Sequence, residues 1–557
     1  MTPDGPAPGR RFLPDLLVAA ALFGAVWALY GPVQRLWWTF DDLFLLHVLH
    51  GRSPWEFFFS PGLWRGLPFR MFLPELLASY DLDRAIAGAQ PRAFYVHELL
   101  ACGAAAVALF AVLRRWFGTE LSGAGALLFV LGAPFVTWTQ QIMHRHYVEG
   151  FVFAAVSVWL FVGAVRRGRP GAAIASAAFY LLAMLSKEVY IPLGGMLALL
   201  PEGSARARFR RLLPHAAAAA VYFAWRYAMI GTLLGGYGWA IRPEELPEAV
   251  GTLPGRVVAS LLPGSRGWNV VLFAAITLGA AAHFRRAPRA LAAILGSAVL
   301  MILPAVPVSR AAGVRFAAMP WALAAAVFVS GCSRLRETSA RGRIAALLLV
   351  GIAAASAFGA NRARWSLQWR EVWQMSAEGR FFLSMAPGDL LRAPRVPPAA
   401  REETRWFKEE YLRWPADAGW FEDDFYLCGE RPPGRIFEYD GGEGRLRDVT
   451  SGALARARAR CDGWKRNAPL RATFAFSGGA LLWDLGPYTA GTYAILRGRG
   501  ADATPVGRVG GYRLSTPAIS LMVRYESAAG WVTYSPEFSL DSRVADSISW
   551  ERRLASR

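Results

Sequence analysis

The feature that most constrains this chain is a series of apolar runs, separated by short arginine clusters, that extends to about residue 360. A membrane-spanning helix needs about 20 mostly apolar residues, and on that criterion the sequence predicts about eleven spans. Arginine clusters at 114–115, 166–169, 206–211 and 285–286 follow alternate runs. Because positive charge collects on the cytoplasmic side of a membrane, this alternation predicts a cytoplasmic N-terminus. An odd number of spans then places the C-terminus outside.

Composition agrees with a polytopic α-helical membrane protein. Of 557 residues 54% are hydrophobic, yet the net charge is +20, which is not the profile of a soluble globular domain. Basicity could indicate a nucleic-acid partner, but the arginines lie between apolar runs and not along one amphipathic face. We therefore exclude nucleic acid and expect a multi-pass protein in the lipid bilayer of a bacterial inner (cytoplasmic) membrane.

The sequence predicts two domains, a transmembrane domain over 1–360 and a soluble, periplasmic or otherwise extracytoplasmic domain over 361–557. A first outer loop over 32–92 is rich in Trp and Phe, which favours short helices lying at the membrane surface. The later part of the second domain alternates apolar and polar residues between Gly and Pro, as in the antiparallel strands of a β-sandwich. Cys428 and Cys461 could pair there, but the sequence leaves this open.

Two adjacent carboxylates, Asp41 and Asp42, directly follow the first predicted span in an aromatic setting. A carboxylate close to the bilayer that still reaches water is suited to act as a general base. The alternative is that the acids cap an interfacial helix. Paired acids can also hold a divalent ion such as Mg²⁺ or Mn²⁺, so Asp41 and Asp42 could hold a metal, and no metal ligand is assigned.

Lys187 is the only lysine in the predicted membrane domain, and it lies beside Glu188 at an outer helix end. An ammonium group there is suited to the phosphate of a lipid carrier, and Glu188 could neutralise it when no ligand is bound. The alternative is an ion pair that only anchors the helix, or a lysine that snorkels to the interface.

Further cationic candidates lie on the same predicted outer side. Arg70 is in the aromatic loop, and His144, Arg145 and His146 follow the third predicted span. These side chains could bind a phosphate or orient a sugar. As a zinc site the two histidines lack Cys partners and the His-Glu-x-x-His pattern.

Taken in order, these motifs resemble the GT-C superfamily of integral-membrane glycosyltransferases. The closest branch is that of the protein O-mannosyltransferases and transmembrane/TPR O-mannosyltransferase-like proteins. The matching segments are Phe-Asp-Asp at 40–42, Phe-Arg-Met-Phe-Leu-Pro at 69–74, Leu-Ala-Met-Leu-Ser-Lys-Glu at 182–188 and Tyr-Ala-Met-Ile-Gly at 227–231. The family's His/Glu-containing segment does not align cleanly with 134–147, and a β-rich tail replaces the TPR repeats. These departures leave the acceptor open.

The resemblance implies a GT-C-like fold and an inverting transfer of mannose or a similar hexose. The donor would be a polyprenyl-phosphate sugar, and the acceptor a hydroxyl of a protein, lipid or glycan on the outer face. Asp41 would be the base and Asp42 would orient a substrate, while Lys187, with Arg70 or Arg145, would stabilise the lipid phosphate. The alternatives are a transferase or polymerase for a lipid-linked glycan, a lipid-linked sugar transporter or flippase, and a scaffold whose tail binds glycan. A transporter predicts inverted repeats, which the sequence does not show.

Overall fold

A computed structural model describes most of the chain in two compact units. The described residues are 12–67, 71–233, 246–261, 266–284, 288–306, 314–386, 388–395, 406–407, 419–421, 427–428, 434–477, 480–497, 502–513, 518–541 and 547–552. The first unit comprises Met1–Leu36 and Leu45–Val372, and the second comprises Trp37–Phe44 and Trp373–Arg557. Arg70 lies outside the described residues.

Helices form the first unit. Those described are α1 (Phe12–Tyr30), α2 (Asp42–Leu49), α3 (Pro54–Phe59), α4 (Pro61–Gly66), α5 (Pro74–Ala87), α6 (Pro91–Leu113), α7 (Thr119–Val130), α8 (Ala133–Gln140), α9 (Arg145–Arg167), α10 (Pro170–Ser186), α11 (Leu193–Leu199), α12 (Ala205–Ile230), α13 (Leu246–Leu261), α14 (Arg266–Phe284), α15 (Pro288–Ile302), α16 (Ala318–Thr338) and α17 (Ala340–Ser384). Short 3-10 turns at Ile142–His144 and Glu188–Tyr190 precede α9 and α11. The start of α2 and the end of α17 belong to the second unit.

Most helices coincide with the predicted apolar runs, but the count of eleven spans is not confirmed. In the described residues, five helices are long and apolar enough to cross a membrane, and a sixth span results if α7 and α8 are taken together. These two helices meet at a bend of 56°, where Gly132 and Pro134 interrupt the predicted third span. Four further apolar helices are shorter than 18 residues.

Buried polar contacts and close backbone approaches hold the first unit together. The hydroxyl of Tyr30 in α1 donates to the Val130 carbonyl at 2.7 Å, and the Asn361 amide of α17 donates to that hydroxyl at 2.6 Å. α14 and α16 approach so closely that a Cβ on Gly331 would lie 1.7 Å from the Gly279 carbonyl oxygen. Small residues at such contacts let helix backbones pack tightly where lipid removes the hydrophobic driving force.

The second unit begins with a four-stranded sheet in the order β2-β1-β3-β4. Its strands are β1 (Leu390–Arg392), β2 (Gly419–Phe421), β3 (Ile436–Asp440) and β4 (Arg445–Asp448), followed by the helix α18 (Thr450–Asp462). β1 pairs in parallel with β2 and β3, while β3 and β4 form an antiparallel hairpin. The sequence analysis did not predict this mixed sheet, whose strands are only three to five residues long.

Two antiparallel sheets follow and face each other. Their strands are β5 (Leu470–Ser477), β6 (Ala480–Gly486), β7 (Thr492–Arg497), β8 (Asp502–Val506), β9 (Val509–Arg513), β10 (Ala518–Glu526), β11 (Val532–Tyr534), β12 (Phe538–Asp541) and β13 (Ser547–Arg552). One sheet has the order β13-β5-β6-β9 and the other β11-β10-β7-β8, with β12 also on β10. Leu470, Ala472 and Phe474 alternate along β5 into one core with Ile495 and Val523 of the opposite sheet. The predicted β-rich C-terminal region is therefore confirmed.

Cys428 and Cys461 form a disulfide, with their Cα atoms 5.8 Å apart. Cys461 lies in the last turn of α18, and the bridge ties that helix to the segment 427–428. The pairing that the sequence left open is thus present. The remaining cysteines, Cys102 and Cys332, are buried and free.

Candidate active site

The segment with the two aspartates is held against the end of α17. The backbone N–H of Trp37 donates to the Ser376 hydroxyl at 2.6 Å. A Cβ on Gly379 would lie 3.0 Å from the Trp37 ring, so the indole fits against a position without a side chain. Phe40 packs on Met375 and has a positive φ of 48°, a conformation that non-glycine residues rarely adopt. Tertiary contacts therefore fix this turn.

The two carboxylates have opposite surroundings. Asp42 is fully buried, and its Oδ2 accepts the Thr39 backbone N–H at 2.9 Å and lies 3.4 Å from the Thr39 hydroxyl. Because α2 begins at Asp42 and Phe40 is not helical, this contact closes the turn that leads into the helix. Asp41 is exposed. Of the two, Asp41 is the carboxylate that solvent and a substrate hydroxyl can reach.

Lys187 lies at the break between α10 and the turn Glu188–Tyr190. Its backbone is extended there, with φ −157° and ψ 135°, and its side chain is only 1% exposed. The ammonium nitrogen is 3.4 Å from Glu188 Oε1 and 5.5 Å from the ring centroid of Tyr147. The predicted ion pair is therefore present, inside the protein and not at its surface. A buried ammonium is an unusual group to retain unless it balances a negative charge.

The same tyrosine contacts both predicted histidines. The ring of Tyr147 is 5.7 Å from that of His144 and 4.4 Å from that of His146, and both histidines are buried. Tyr190 Oη donates to the Tyr147 carbonyl. The structure thus brings His144, His146, Lys187 and Glu188 together around Tyr147, which sequence reasoning did not single out. The sequence analysis also missed Glu149, which lies two residues after Tyr147.

Arg145 does not join this group, although it lies between the two histidines in the sequence. Its fully buried guanidinium binds Asp83 at 2.5 Å, and it donates to the Phe94 carbonyl at 2.7 Å. Its Nε lies 3.5 Å from Glu98. These partners come from α5 and α6, and a buried arginine with two carboxylates is suited to position helices.

A set of acids around Arg145 was not predicted. Glu149, one turn after Arg145 in α9, accepts the Ser79 hydroxyl at 2.8 Å and lies 3.5 Å from His97. Glu75, in the first turn of α5, is in hydrogen-bond contact with Glu149. Burial, followed by the nearby Glu149 carboxylate, raises the pKa of Glu75 well above its usual value. Burial and a neighbouring carboxylate both favour the protonated form of Glu75.

This acidic set adjoins the lysine. The Glu75 carboxyl is also in hydrogen-bond contact with Ser186, which directly precedes Lys187. The set contains acids from three helices, α5, α6 and α9, so no local motif reveals it. The one sequence signal is the spacing of Arg145 and Glu149, which places both on one face of α9.

The described residues contain no group of three or more His, Cys, Asp or Glu side chains arranged to hold a metal ion. Asp41 and Asp42, the pair considered for Mg²⁺ or Mn²⁺, differ in that one side chain is exposed and the other is buried against Thr39. The two carboxylates thus do not present a joint ligand set, and no chemical step below is derived through a metal.

Comparison with known proteins supports the resemblance found in the motifs. Residues 81–229 match the family of dolichyl-phosphate-mannose-protein mannosyltransferases. This stretch contains His144, His146, Lys187 and Glu188, together with Tyr147. No curated protein sequence matches the chain.

Among solved structures, the chain is similar to the oligosaccharyltransferase of Archaeoglobus fulgidus. One structure of that enzyme, tethered to an acceptor peptide with an NVT sequon, has 12% sequence identity and a TM-score of 0.42 and covers 84% of this chain and 73% of that chain. A second, in complex with Zn and sulfate, has the same identity and TM-score and covers 83% of this chain and 72% of that chain.

Proposed function

We propose that this chain, in which residues 81–229 match a family of membrane mannosyltransferases, is a glycosyltransferase that uses a polyprenyl-phosphate sugar. It transfers mannose or a similar hexose, with inversion, to a hydroxyl of a protein, lipid or glycan on the outer face of the membrane. The observation that carries the proposal is the buried ammonium of Lys187 beside Tyr147, His144 and His146, within the matched stretch.

In this proposal Lys187 binds the phosphate of the donor. A lipid phosphodiester brings a negative charge into a low-dielectric site. An ammonium group stabilises that charge more strongly there than at the protein surface, where water screens the interaction. As the bond between the anomeric carbon and the phosphate oxygen breaks, its electron pair remains on the phosphate, and Lys187 balances the charge that develops. Glu188 balances the ammonium when no donor is bound, which supports a site that stays folded while empty.

Asp41 is the proposed general base, because it is the exposed member of the pair. It takes the proton of the acceptor hydroxyl while the acceptor oxygen attacks the anomeric carbon from the side opposite the phosphate. Asp42 holds Thr39 and the start of α2, so we assign it to positioning Asp41. These roles follow from the surroundings of each group within its own unit.

We further propose that the C-terminal unit is extracytoplasmic and that the membrane is the bacterial inner membrane. The disulfide between Cys428 and Cys461 supports this orientation, because such bonds persist in oxidising compartments and are rare in the cytosol. A reporter fused after residue 557 should be active only outside the cytoplasm. A cytoplasmic signal would contradict the orientation and leave the chemistry untouched.

The first test is Asp41→Asn in membranes supplied with a polyprenyl-phosphate mannose and extracts that contain acceptors. The amide cannot take a proton, so the rate of sugar transfer should fall about 10²- to 10⁴-fold, the usual contribution of a general base. Asp484→Asn, at a half-exposed ion pair with Arg471, is the matched control and should retain wild-type transfer. Full activity of Asp41→Asn would rule out Asp41 as the base.

The second test concerns the donor. Lys187→Gln should weaken donor binding about ten- to hundredfold, because a hydrogen bond to a charged group is worth about 1.5–3 kcal/mol. Lys187→Arg keeps the charge and should retain most of the affinity. Equal donor affinity in the wild type and in Lys187→Gln, measured with a radiolabelled donor in detergent, would transfer this role to an arginine.

A further inference from the structure

A cleft opens in the C-terminal unit, at loops that join the elements of the β-sandwich. Its volume is about 550 Å³, within the usual range of small-molecule sites. The lining residues are Trp464, Lys465, Arg466, Asn467, Ala468, Pro469, Tyr488 and Trp531. They come from three connections, the loop between α18 and β5, the loop after β6 and the loop before β11.

Aromatic rings form the apolar part of the cleft. Tyr488 meets Trp531 edge to face at 5.4 Å and stacks on Tyr525 at 4.2 Å. Trp464 packs edge to face on Tyr534 at 5.8 Å. Trp464, Tyr488 and Trp531 are each partly buried, so one part of each ring rests on the core while another part remains accessible. Such rings offer a flat apolar surface with a polar edge, which suits the C–H face of a pyranose.

The polar part of the cleft is cationic. Lys465 Nζ lies 4.7 Å from the ring centroid of Trp531, and the Arg466 guanidinium carbon lies 4.2 Å from that of Trp464. Both side chains are exposed, and the described lining residues include no Asp or Glu. A ligand that stacks on these rings therefore meets two positive charges and the Asn467 amide. This favours a ligand with an acidic group.

Backbone contacts hold the wall of the cleft in place. The Lys465 N–H donates to the Val532 carbonyl at 2.8 Å, and the Val532 N–H donates to the Gly463 carbonyl at 3.1 Å. The side chain of Arg552 adds two hydrogen bonds. One guanidinium nitrogen donates to the Arg466 carbonyl, and the other donates to the Tyr534 carbonyl at 2.8 Å. The loop is thus formed before any ligand arrives, which lowers the entropic cost of binding.

We propose that this cleft binds an acidic glycan, with a sugar ring on Tyr488 and Trp531 and its carboxylate or phosphate on Lys465 and Arg466. The site lies in a part of the chain outside the matched stretch 81–229 and does not depend on the proposed transfer reaction. It identifies the C-terminal unit as a glycan-binding module of the same polypeptide.

The test uses the full-length protein in detergent, with transfer activity recorded separately. Calorimetric titrations compare a hexamer of galacturonic acid, a hexamer of galacturonic acid 6-methyl ester and a twelve-nucleotide oligothymidylate. We expect the acidic hexamer to bind at least about tenfold more tightly than the ester, and to bind less tightly as salt rises. Equal binding of acid and ester, no binding of the acid, or tighter binding of the oligonucleotide would overturn the proposal.

Variants locate the site. Lys465→Gln combined with Arg466→Gln should reduce affinity for the acidic hexamer about tenfold or more, and both positions are exposed, so folding should be retained. Trp531→Ala should abolish binding, whereas Trp531→Phe should keep part of it. Arg445→Gln, at an exposed arginine of β4, is the matched control. If Arg445→Gln and the double variant lower affinity equally, the charge effect is nonspecific and the cleft is not the site.

Discussion

Two pairs of carboxyl groups in this molecule differ in how their distance in the sequence relates to their contacts in the fold. Asp41 and Asp42 are neighbours in the chain, yet one is exposed and the other is buried against Thr39. Glu75 and Glu149 lie on different helices, yet their carboxyl groups are in hydrogen-bond contact. Adjacency in sequence therefore identified two acids with different surroundings. The contact between Glu75 and Glu149 is seen only in the structure.

The largest effect on stability is expected at Arg145, whose positive charge lies near Glu75 and Glu149. Arg145→Met should destabilise the protein by about 3–5 kcal/mol, because it leaves Asp83 and Glu98 buried without their cation. Thermal unfolding in detergent measures this loss. Arg210→Met, at an exposed arginine of α12, should change the unfolding midpoint little. A mild effect at Arg145 would show that the burial of Asp83 and Glu98 does not depend on this cation.

The raised pKa of Glu75 makes the stability of the protein depend on pH. Because the pKa of Glu75 is raised in the folded state, its contribution to stability is present below the ordinary glutamate pKa. That contribution is lost as the pH rises through the raised value. The unfolding midpoint of the wild type should therefore fall with rising pH across that range.

Glu75→Gln replaces the protonated carboxyl with an amide that does not titrate. This variant should lose the pH-dependent fall in the unfolding midpoint and differ little from wild type at low pH. Glu120→Gln, at an exposed acid of α7, should retain the wild-type pH profile. An unchanged profile in Glu75→Gln would show that the pH dependence does not come from Glu75.

The smallest expected effect distinguishes Asp41 from Asp42. Asp42→Ala removes the carboxylate that accepts the Thr39 N–H and should cost about 1 kcal/mol, the usual net value of one hydrogen bond. Asp41→Ala, at the exposed neighbour, should cost less, since exposed substitutions usually change stability by under about 0.5 kcal/mol. Equal losses of stability would show that both acids stabilise the turn before α2.

The sequence predicted the helices well where apolar runs end at arginines or at turn residues. α6, α9 and α10 begin and end within a few residues of the predicted runs. The prediction was poorer where such signals are absent. The last predicted apolar run ends near residue 360, but α17 continues to Ser384, because no glycine–proline turn follows the run and polar helix formers extend the helix.

The candidate site was predicted in part. His144, His146, Lys187 and Glu188 were singled out by residue type, and the structure brings them together. Tyr147 escaped because an aromatic residue in a membrane helix is ordinary. The acids around Arg145 could not be found this way, since their proximity is a product of helix packing.

The apposition of Gly279 and Gly331 has a consequence for how this chain can vary. Where α14 and α16 cross, the distance between the helices is set by main-chain atoms alone, since a single methyl group would occupy the space of a carbonyl oxygen. The separation of the α14 and α16 backbones is therefore fixed at this crossing. Elsewhere along these helices a larger side chain can be offset by a smaller neighbour, but at this point no compensating exchange exists.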